Sequence, residues 1–206
     1  MRKAAGDMTF RELAIPGSWE ITPQVYDDLR GDTFEWFSEI AFAEMAGHRF
    51  GTRQANCSVS AAGVLRGLHF AEVPPGQAKF VTCVRGSVFD VVVDVRVGSP
   101  TYGRWDATVL DDVERRSVYL SEGLAHGFLA LQDNSTVMYL CSAPYTPARE
   151  HTIAANDPQI GIDWPIPADR QVLSPRDSAA PTLAAMRASG LLPSWDETRR
   201  FIADLP

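Results

Sequence analysis

Between Phe80 and Cys141 the chain is a series of short runs rich in Val, Phe and Thr, cut at nearly regular intervals by turn-forming pairs. The runs fall at Phe80–Val97, Ala107–Leu110, Arg116–Leu120, Gly127–Leu131 and Thr136–Cys141. Asp111-Asp112, Glu122-Gly123 and Asp133-Asn134 stand between them. β-Branched and aromatic residues favour the pleated, half-buried surface of a strand, and closely spaced strands leave no room for the crossover helices of a βαβ sheet. The pattern therefore predicts a sandwich or small barrel. Within the first run Arg85-Gly86 reads as the turn of a hairpin of long strands. Polar residues recur there, as in Phe89, Asp90 and Asp94, so a barrel with a lined interior is expected. Asp90 and Asp94 would either line that interior or cap a hydrogen-bond network; the pattern fits both.

The flanks read differently. From Met8 to Ile21 apolar pieces are broken by Pro16-Gly17, and Asp27–Asp32 is a charged bend, which predicts an irregular arm with one or two short strands. Trp36, Ile40 and Ala43, with Phe37 and Ala41 beside them, fit one face of a short helix over Glu35–Gly47, with Gly47 as its stop. Beyond Asp163, Pro165, Pro167, Pro175 and Pro181 punctuate a loop, and Thr182–Ser189 and Trp195–Ala203 read as two short helices, Gly190 closing the first. The 206 residues thus divide into an extension at 1–7 expected to be disordered, an arm with a short helix at 8–60, a β core at 61–164, and a C-terminal loop with helices at 165–206, all one domain.

Composition excludes several function classes. With 45% apolar and 22% charged residues the chain is of ordinary globular type, and no apolar run reaches the roughly 18 residues of a membrane span. MRKAAGDMTF has basic residues but no apolar body behind them, unlike a secretory signal, so a cytoplasmic location is expected. Cys57, Cys83 and Cys141 are odd in number and widely spaced, which suits packing residues better than a disulfide framework or thiolate metal site. The net charge of −7 offers no broad basic face, so nucleic acid is not an expected partner. A small anion remains compatible, since a cleft needs only two or three arginines.

The densest group of polar residues is Arg66-Gly67-Leu68-His69-Phe70, followed by Pro74-Pro75-Gly76-Gln77-Ala78-Lys79. An Arg three residues before a strand histidine and a Lys ten after it fit one wall of a barrel mouth; taken alone they fit equally a core histidine and two surface cations. Ser121–Phe128 places a second histidine, His126, in a Gly-flanked turn, and Tyr139 sits centrally in an expected strand. Metal-binding barrels of the cupin type hold their ion through a His-x-His pair. Here the residue two after His69 is Ala71 and none of the four histidines forms a close pair, so neither a metal nor another cofactor is expected. His69 then reads as a general base. Such a base needs an acidic proton, for example one next to a ketone whose enolate oxygen Lys79 could stabilise, while the phenol of Tyr139 returns a proton from the other side.

Four runs extend this reading to a family. Gly63–Phe70 (GVLRGLHF), Phe89–Thr101 (FDVVVDVRVGSPT), Glu122–Phe128 (EGLAHGF) and Asp157–Pro165 (DPQIGIDWP) closely resemble, in this order, the dTDP-4-dehydrorhamnose 3,5-epimerase family. The resemblance covers nearly the whole chain from Met8. It implies a mainly β, cupin-like jelly-roll barrel that forms a homodimer, works without metal, and epimerises dTDP-4-dehydro-6-deoxy-D-glucose at C3 and C5 to dTDP-4-dehydro-L-rhamnose.

By the same resemblance His69 is the base and Asp177, in Leu173-Ser174-Pro175-Arg176-Asp177, its carboxylate partner. Lys79 matches the enolate stabiliser and Tyr139 the acid. Arg66 matches the main diphosphate ligand with Gln54 and Asn56 beside it, His126 lines the sugar pocket, and Tyr145 would stack on thymine. Arg30 and Glu35 fall in an arm that can come from the partner subunit; Phe34 matches the aromatic there less closely, because Asp32-Thr33 departs from the apolar residues usual after Arg-Gly. No role is assigned to His48 or His151. A 3- or 5-mono-epimerase of antibiotic deoxysugars is the nearest alternative. A sugar-nucleotide binder would keep the arginines without the His69 and Asp177 pair.

Overall fold

The computed structural model describes residues 2–3 and 8–206. Its strands are β1 (Arg2–Lys3), β2 (Met8–Glu12), β3 (Ser18–Pro23), β4 (Val25–Asp28), β5 (Gly31–Phe34), β6 (Gln54–Ser60), β7 (Leu65–Ala71), β8 (Lys79–Arg85), β9 (Ser87–Asp94), β10 (Trp105–Asp111), β11 (Ser117–Leu120), β12 (Leu124–Ala130), β13 (Ser135–Cys141) and β14 (Glu150–Thr152). The α-helices are α1 (Glu39–Ala46), α2 (Pro175–Ser178), α3 (Leu183–Ala188) and α4 (Trp195–Ala203). A seven-stranded sheet runs β1-β2-β3-β11-β8-β13-β6, a five-stranded sheet runs β10-β9-β12-β7-β14, and β4-β5 is a separate hairpin. The result is the expected mainly β jelly-roll barrel with short helices on its flanks.

Alternation along the central strands builds three apolar layers. Val81 and Cys83 of β8, Val118 and Leu120 of β11, and Val137 of β13 meet Val88 and Val92 of β9 and Leu124 and Phe128 of β12 between the sheets. The other face of the five-stranded sheet presents Leu68, Phe70, Val91, Val93 and Leu129 to Ile153, Trp164, Leu183 and Met186 of the C-terminal segment. The other face of the seven-stranded sheet packs Phe10, Ile21, Phe80 and Tyr119 against Ala41 and Phe42 of α1 and against Phe50. Burying such a side chain contributes about 1.5–3 kcal/mol, which is why β9 reads as a nearly continuous apolar run.

Several expectations need correction. The Phe80–Val97 run divides at Arg85-Gly86, but its halves do not form a hairpin: β8 lies between β11 and β13, while β9 lies between β10 and β12 in the other sheet. The turn at Gly86 is a corner between layers, and it lets both strands be covered on both faces, which side-by-side pairing at a sheet edge would not. Phe89 consequently points outward to Trp164, not into the barrel. The arm is more regular than predicted, since β2 and β3 join the large sheet and Asp27–Asp32 forms the tip of the β4-β5 hairpin. With β2, β3 and β6 the sheets reach well before residue 61.

The first helix begins at Glu39, not Glu35, and Gly47 stops it at φ 81°. Its buried residues are Ala41 and Phe42, whereas Ile40 is exposed, so Trp36 and Phe37 pack from the preceding segment. Cys83 and Cys141 are buried as expected, but Cys57 is exposed on β6. The extension expected at 1–7 lies outside the described residues, apart from Arg2 and Lys3, whose backbone pairs with Phe10 and Thr9. Among the described residues no helix is long and apolar enough to cross a membrane.

Candidate active site

Arg66 and His69 are three residues apart on β7, a spacing that on a regular strand sends side chains to opposite faces. The structure nevertheless brings both into one cleft, because the register against β12 shifts between Arg66↔Phe128 and His69↔His126. Three steps on β7 thus match two on β12, the signature of a β-bulge. Glycine makes it possible. Gly67 has φ +123°, and a Cβ there would lie 2.5 Å from the Cα of Gly127.

The cleft wall formed by β7 and β12 carries two His–Asp pairs. Nε2 of His69 is 2.7 Å from Oδ1 of Asp177. A carboxylate only accepts, so Nε2 carries the proton and Nδ1 holds the lone pair a base requires. Burial alone would push the Asp177 carboxyl up, but the hydrogen bond and attraction of His69, with the Ser174 hydroxyl and the Gly67 amide, hold it below its ordinary value. Asp177 reaches this position because Ser174 caps α2, its side chain accepting from the Asp177 N–H, and Pro175 starts the helix. The second pair is His126 Nε2 to Asp90 Oδ2 at 2.8 Å, both side chains buried. Asp90 therefore lines the interior. Asp94 instead anchors a buried network, receiving Arg96 together with the hydroxyls of Ser99 and Thr101.

The seven-stranded sheet supplies the opposite wall. Lys79 and Tyr139 face the cleft from β8 and β13, which pair Tyr139↔Val81 and Cys141↔Lys79. Burial pushes the Lys79 ammonium down from its ordinary value, against the raising influence of Cys141, Glu150 and Glu122. Burial likewise pushes the Tyr139 phenol up, aided by Cys141 and opposed by Arg66, so it stays protonated at neutral pH. The next strand, β6, registers Asn56 opposite Tyr139 and Gln54 opposite Cys141, which puts both at the cleft's edge. Two adjoining lobes of about 300 and 350 Å³ share His69, Lys79, Tyr139 and Arg176.

Most residues singled out from sequence converge here: His69, Lys79, Tyr139, Asp177, Arg66 and His126 line one or both lobes, with Gln54, Asn56 and Tyr145 toward the second. Arg30 and Glu35 line neither lobe. Arg30 stands at the exposed tip of the β4-β5 hairpin, paired with Asp28. Sequence reasoning missed Arg176, whose guanidinium donates to the Tyr145 hydroxyl at 3.2 Å and to the Glu150 carbonyl at 2.9 Å. It also missed Gln77, Phe128, Glu150 and Ser60, the last accepting from Nε of Arg66 at 3.1 Å. Arg176 and Gln77 lie inside stretches already marked, next to Asp177 and two residues before Lys79; nothing in the sequence marks Ser60 or Glu150. His151, given no role, pairs with Glu72 at 2.7 Å. Among the described residues no three His, Cys, Asp or Glu side chains converge as a metal site would require.

Three cations, Arg66, Lys79 and Arg176, thus gather in one cleft of a chain whose net charge is −7. Such a grouping suits a compact polyanion beside a site for proton transfer. Comparison with known proteins agrees with that chemistry. Residues 12–185 match the sequence model of dTDP-4-dehydrorhamnose 3,5-epimerase. The chain belongs to this family. Its members include the dTDP-4-dehydrorhamnose 3,5-epimerase of Mycobacterium tuberculosis H37Rv, 63% identical over 199 residues, covering 96% of this chain and 98% of that one. The solved epimerase of M. tuberculosis superposes with a TM-score of 0.94, covering 96% of this chain and 100% of that one at 63% identity. A 3′-monoepimerase from Streptomyces bikiniensis, solved with dTDP-quinovose, is 46% identical with a TM-score of 0.90, covering 93% and 96% of the two chains.

Proposed function

We propose that this chain epimerises dTDP-4-dehydro-6-deoxy-D-glucose at C3 and C5 to dTDP-4-dehydro-L-rhamnose. The observation that carries the reading is that His69 and Tyr139 come from opposite sheets and face one cleft, with Lys79 beside Tyr139. A sugar held between the walls exposes one face to a base and the other to an acid.

Nδ1 of His69 takes the proton from the carbon next to the 4-keto group, and the C–H electron pair moves into the ketone as an enolate. The Lys79 ammonium stabilises the enolate oxygen. The enolate then returns its electron pair to carbon as the Tyr139 phenol delivers a proton to the opposite face, inverting the centre. Because one ketone acidifies both C3 and C5, His69 and Lys79 serve at both carbons in turn, His69 passing its captured proton to solvent between them, while Tyr139 is the acid at C5 and regains its proton from solvent. General acid–base help contributes about 10²–10⁴ in rate and one donor at the oxyanion about 10²–10³. Arg66 with Gln54, Asn56 and Arg176 binds the diphosphate, His126 contacts the sugar and Tyr145 stacks on thymine. No cofactor enters these steps.

Arg30 and Glu35, which line neither lobe of their own cleft, act in the cleft of a second copy, so the working form is a homodimer. Three unpaired cysteines agree with a reducing cytoplasm as its location.

The test is deuterium uptake from D₂O into dTDP-4-dehydro-6-deoxy-D-glucose, resolved by position. Label at both C3 and C5 is expected; label at one carbon would make the chain a mono-epimerase, and none would overturn the reading. His69→Ala should abolish exchange at both carbons. Tyr139→Phe should permit proton loss but slow reprotonation at C5.

A further inference from the structure

Lys79 is 8% exposed, and its hydrogen-bond partner among the described residues is neutral: Nζ donates to Oε1 of Gln77 at 2.6 Å. Among those residues no carboxylate lies within ion-pair distance of it. Gln77 is itself buried, at 7% exposure, and its amide has a single sense. Nε2 donates to the Ala143 carbonyl at 2.9 Å, and a carbonyl only accepts, so Oε1 must face Lys79. The backbone around it is pinned as well: the Ala78 N–H donates to Ser142 Oγ, which donates to the buried Glu122 carboxyl, each at 2.9 Å. Gln77 is thus held from β13's end and clamps the ammonium from the loop that enters β8.

We propose that Gln77 is a positioning residue for the reaction, an amide clamp that aims the Lys79 ammonium into the cleft and solvates it without cancelling its charge. A buried ammonium with no acceptor loses its proton, and one paired with a carboxylate spends its field on that partner. An amide oxygen avoids both outcomes and leaves two N–H donors for an enolate oxygen. The inference rests on reading Lys79 as the cation that faces the enolate. Six groups surround that ammonium from the packed elements: His69 on β7, Tyr139 and Cys141 on β13, Glu150 on β14, Arg176 on α2 and Glu122 in the turn before β12. Burial pushes Lys79 down while Cys141, Glu150 and Glu122 oppose that, and among the described residues Gln77 is the acceptor that its ammonium reaches.

The experiment is the pH dependence of kcat for wild type, Gln77→Leu and the nearly isosteric Gln77→Glu, with Lys79→Met as control and circular dichroism to establish folding. In Gln77→Leu the alkaline limb of kcat should move to lower pH, with kcat at pH 7.5 reduced by about ten- to a hundredfold and KM little changed. In Gln77→Glu the limb should move to higher pH, because the added carboxylate holds the proton on Lys79, while kcat falls because the charge is spent. A packing role cannot displace the limb in opposite directions. Should Gln77→Leu fail to fold, the Glu variant decides alone: a limb at or below the wild-type position overturns the proposal. Limbs that coincide, or move the same way, also overturn it. Should Lys79→Met retain wild-type kcat, the assignment of Lys79 has failed instead, and the proposal about Gln77 falls with it.

Discussion

His69 is an ordinary imidazole until a carboxylate 108 residues away reaches its Nε2. Asp177→Asn removes the charge that favours the Nδ1 lone pair and the imidazolium formed after proton abstraction. It should lower kcat by about 10²–10⁴ with KM nearly unchanged. Steady-state kinetics checks this, and a kcat within twofold of wild type would detach Asp177 from the base. The same carboxyl carries a stability signature. Its folded-state pKa is lowered, so the stabilisation it provides is present above the ordinary Asp value near 3.9 and is lost as pH falls through the lower folded value. Urea unfolding should find Asp177→Asn less stable than wild type at pH 7, with the gap closing below about pH 4. On the anion side, Ser60→Ala frees Nε of Arg66, and an increase in KM with little change in kcat is expected. His69 and Asp177 were marked by the runs they sit in, and Lys79 and Tyr139 by the family resemblance. Gln77 and Ser60 were not, since each acts through a contact made only after folding, Gln77 across 66 residues and Arg66 with Ser60 between sheets.

Among the elements, β7 does the most to build the site. Its bulge against β12 puts Arg66 and His69 on one face, and the contact of Gly67 with Gly127 sets how closely the strands approach. Gly67→Ala would place a methyl 2.5 Å from the Gly127 Cα and 2.7 Å from the His126 carbonyl oxygen, both backbone atoms, at φ +123°. Neither a rotamer change nor a flexible neighbour relieves that. The variant should lose about 2–4 kcal/mol in urea unfolding, and activity should fall even where the protein remains folded, because His69 moves against His126. A wild-type urea midpoint would show that the two strands separate at little cost. Strand composition predicted β8 to β13, with errors at their ends, since Val, Phe and Thr on a half-buried surface leave a local signal. It did not predict that β8 and β9 part company at Gly86, because composition is blind to which sheet a strand joins.

The whole molecule closes around the cleft from outside. The segment from Ile153 to Met186 covers the outer face of the five-stranded sheet, and the same segment delivers Asp177 and Arg176 to the inner cleft. Trp164 anchors it, buried against Phe89 and donating its indole N–H to the Ala155 carbonyl at 2.9 Å. Trp164→Ala should cost about 3–5 kcal/mol, read by denaturant unfolding, and should reduce kcat at temperatures where the chain is still folded, because the carrier of Asp177 loosens. If stability falls while kcat per folded molecule is unchanged, covering the sheet and placing Asp177 are separate tasks.

The sequence by itself determined the class of fold and the family. Alternation and turn spacing specify stacked strands, the lack of a His-x-His pair turns the reading of His69 from ligand to base, and four long runs identify the family. These are local signals, carried by residues near one another in the chain. The tertiary structure alone decided which sheet each strand joins, that a bulge overrides the parity separating Arg66 from His69, that Asp90 serves His126 while Asp94 serves Arg96, and that Gln77 holds Lys79. Each depends on contacts between distant parts of the chain, and their energies exist only once both sheets and the C-terminal segment have packed.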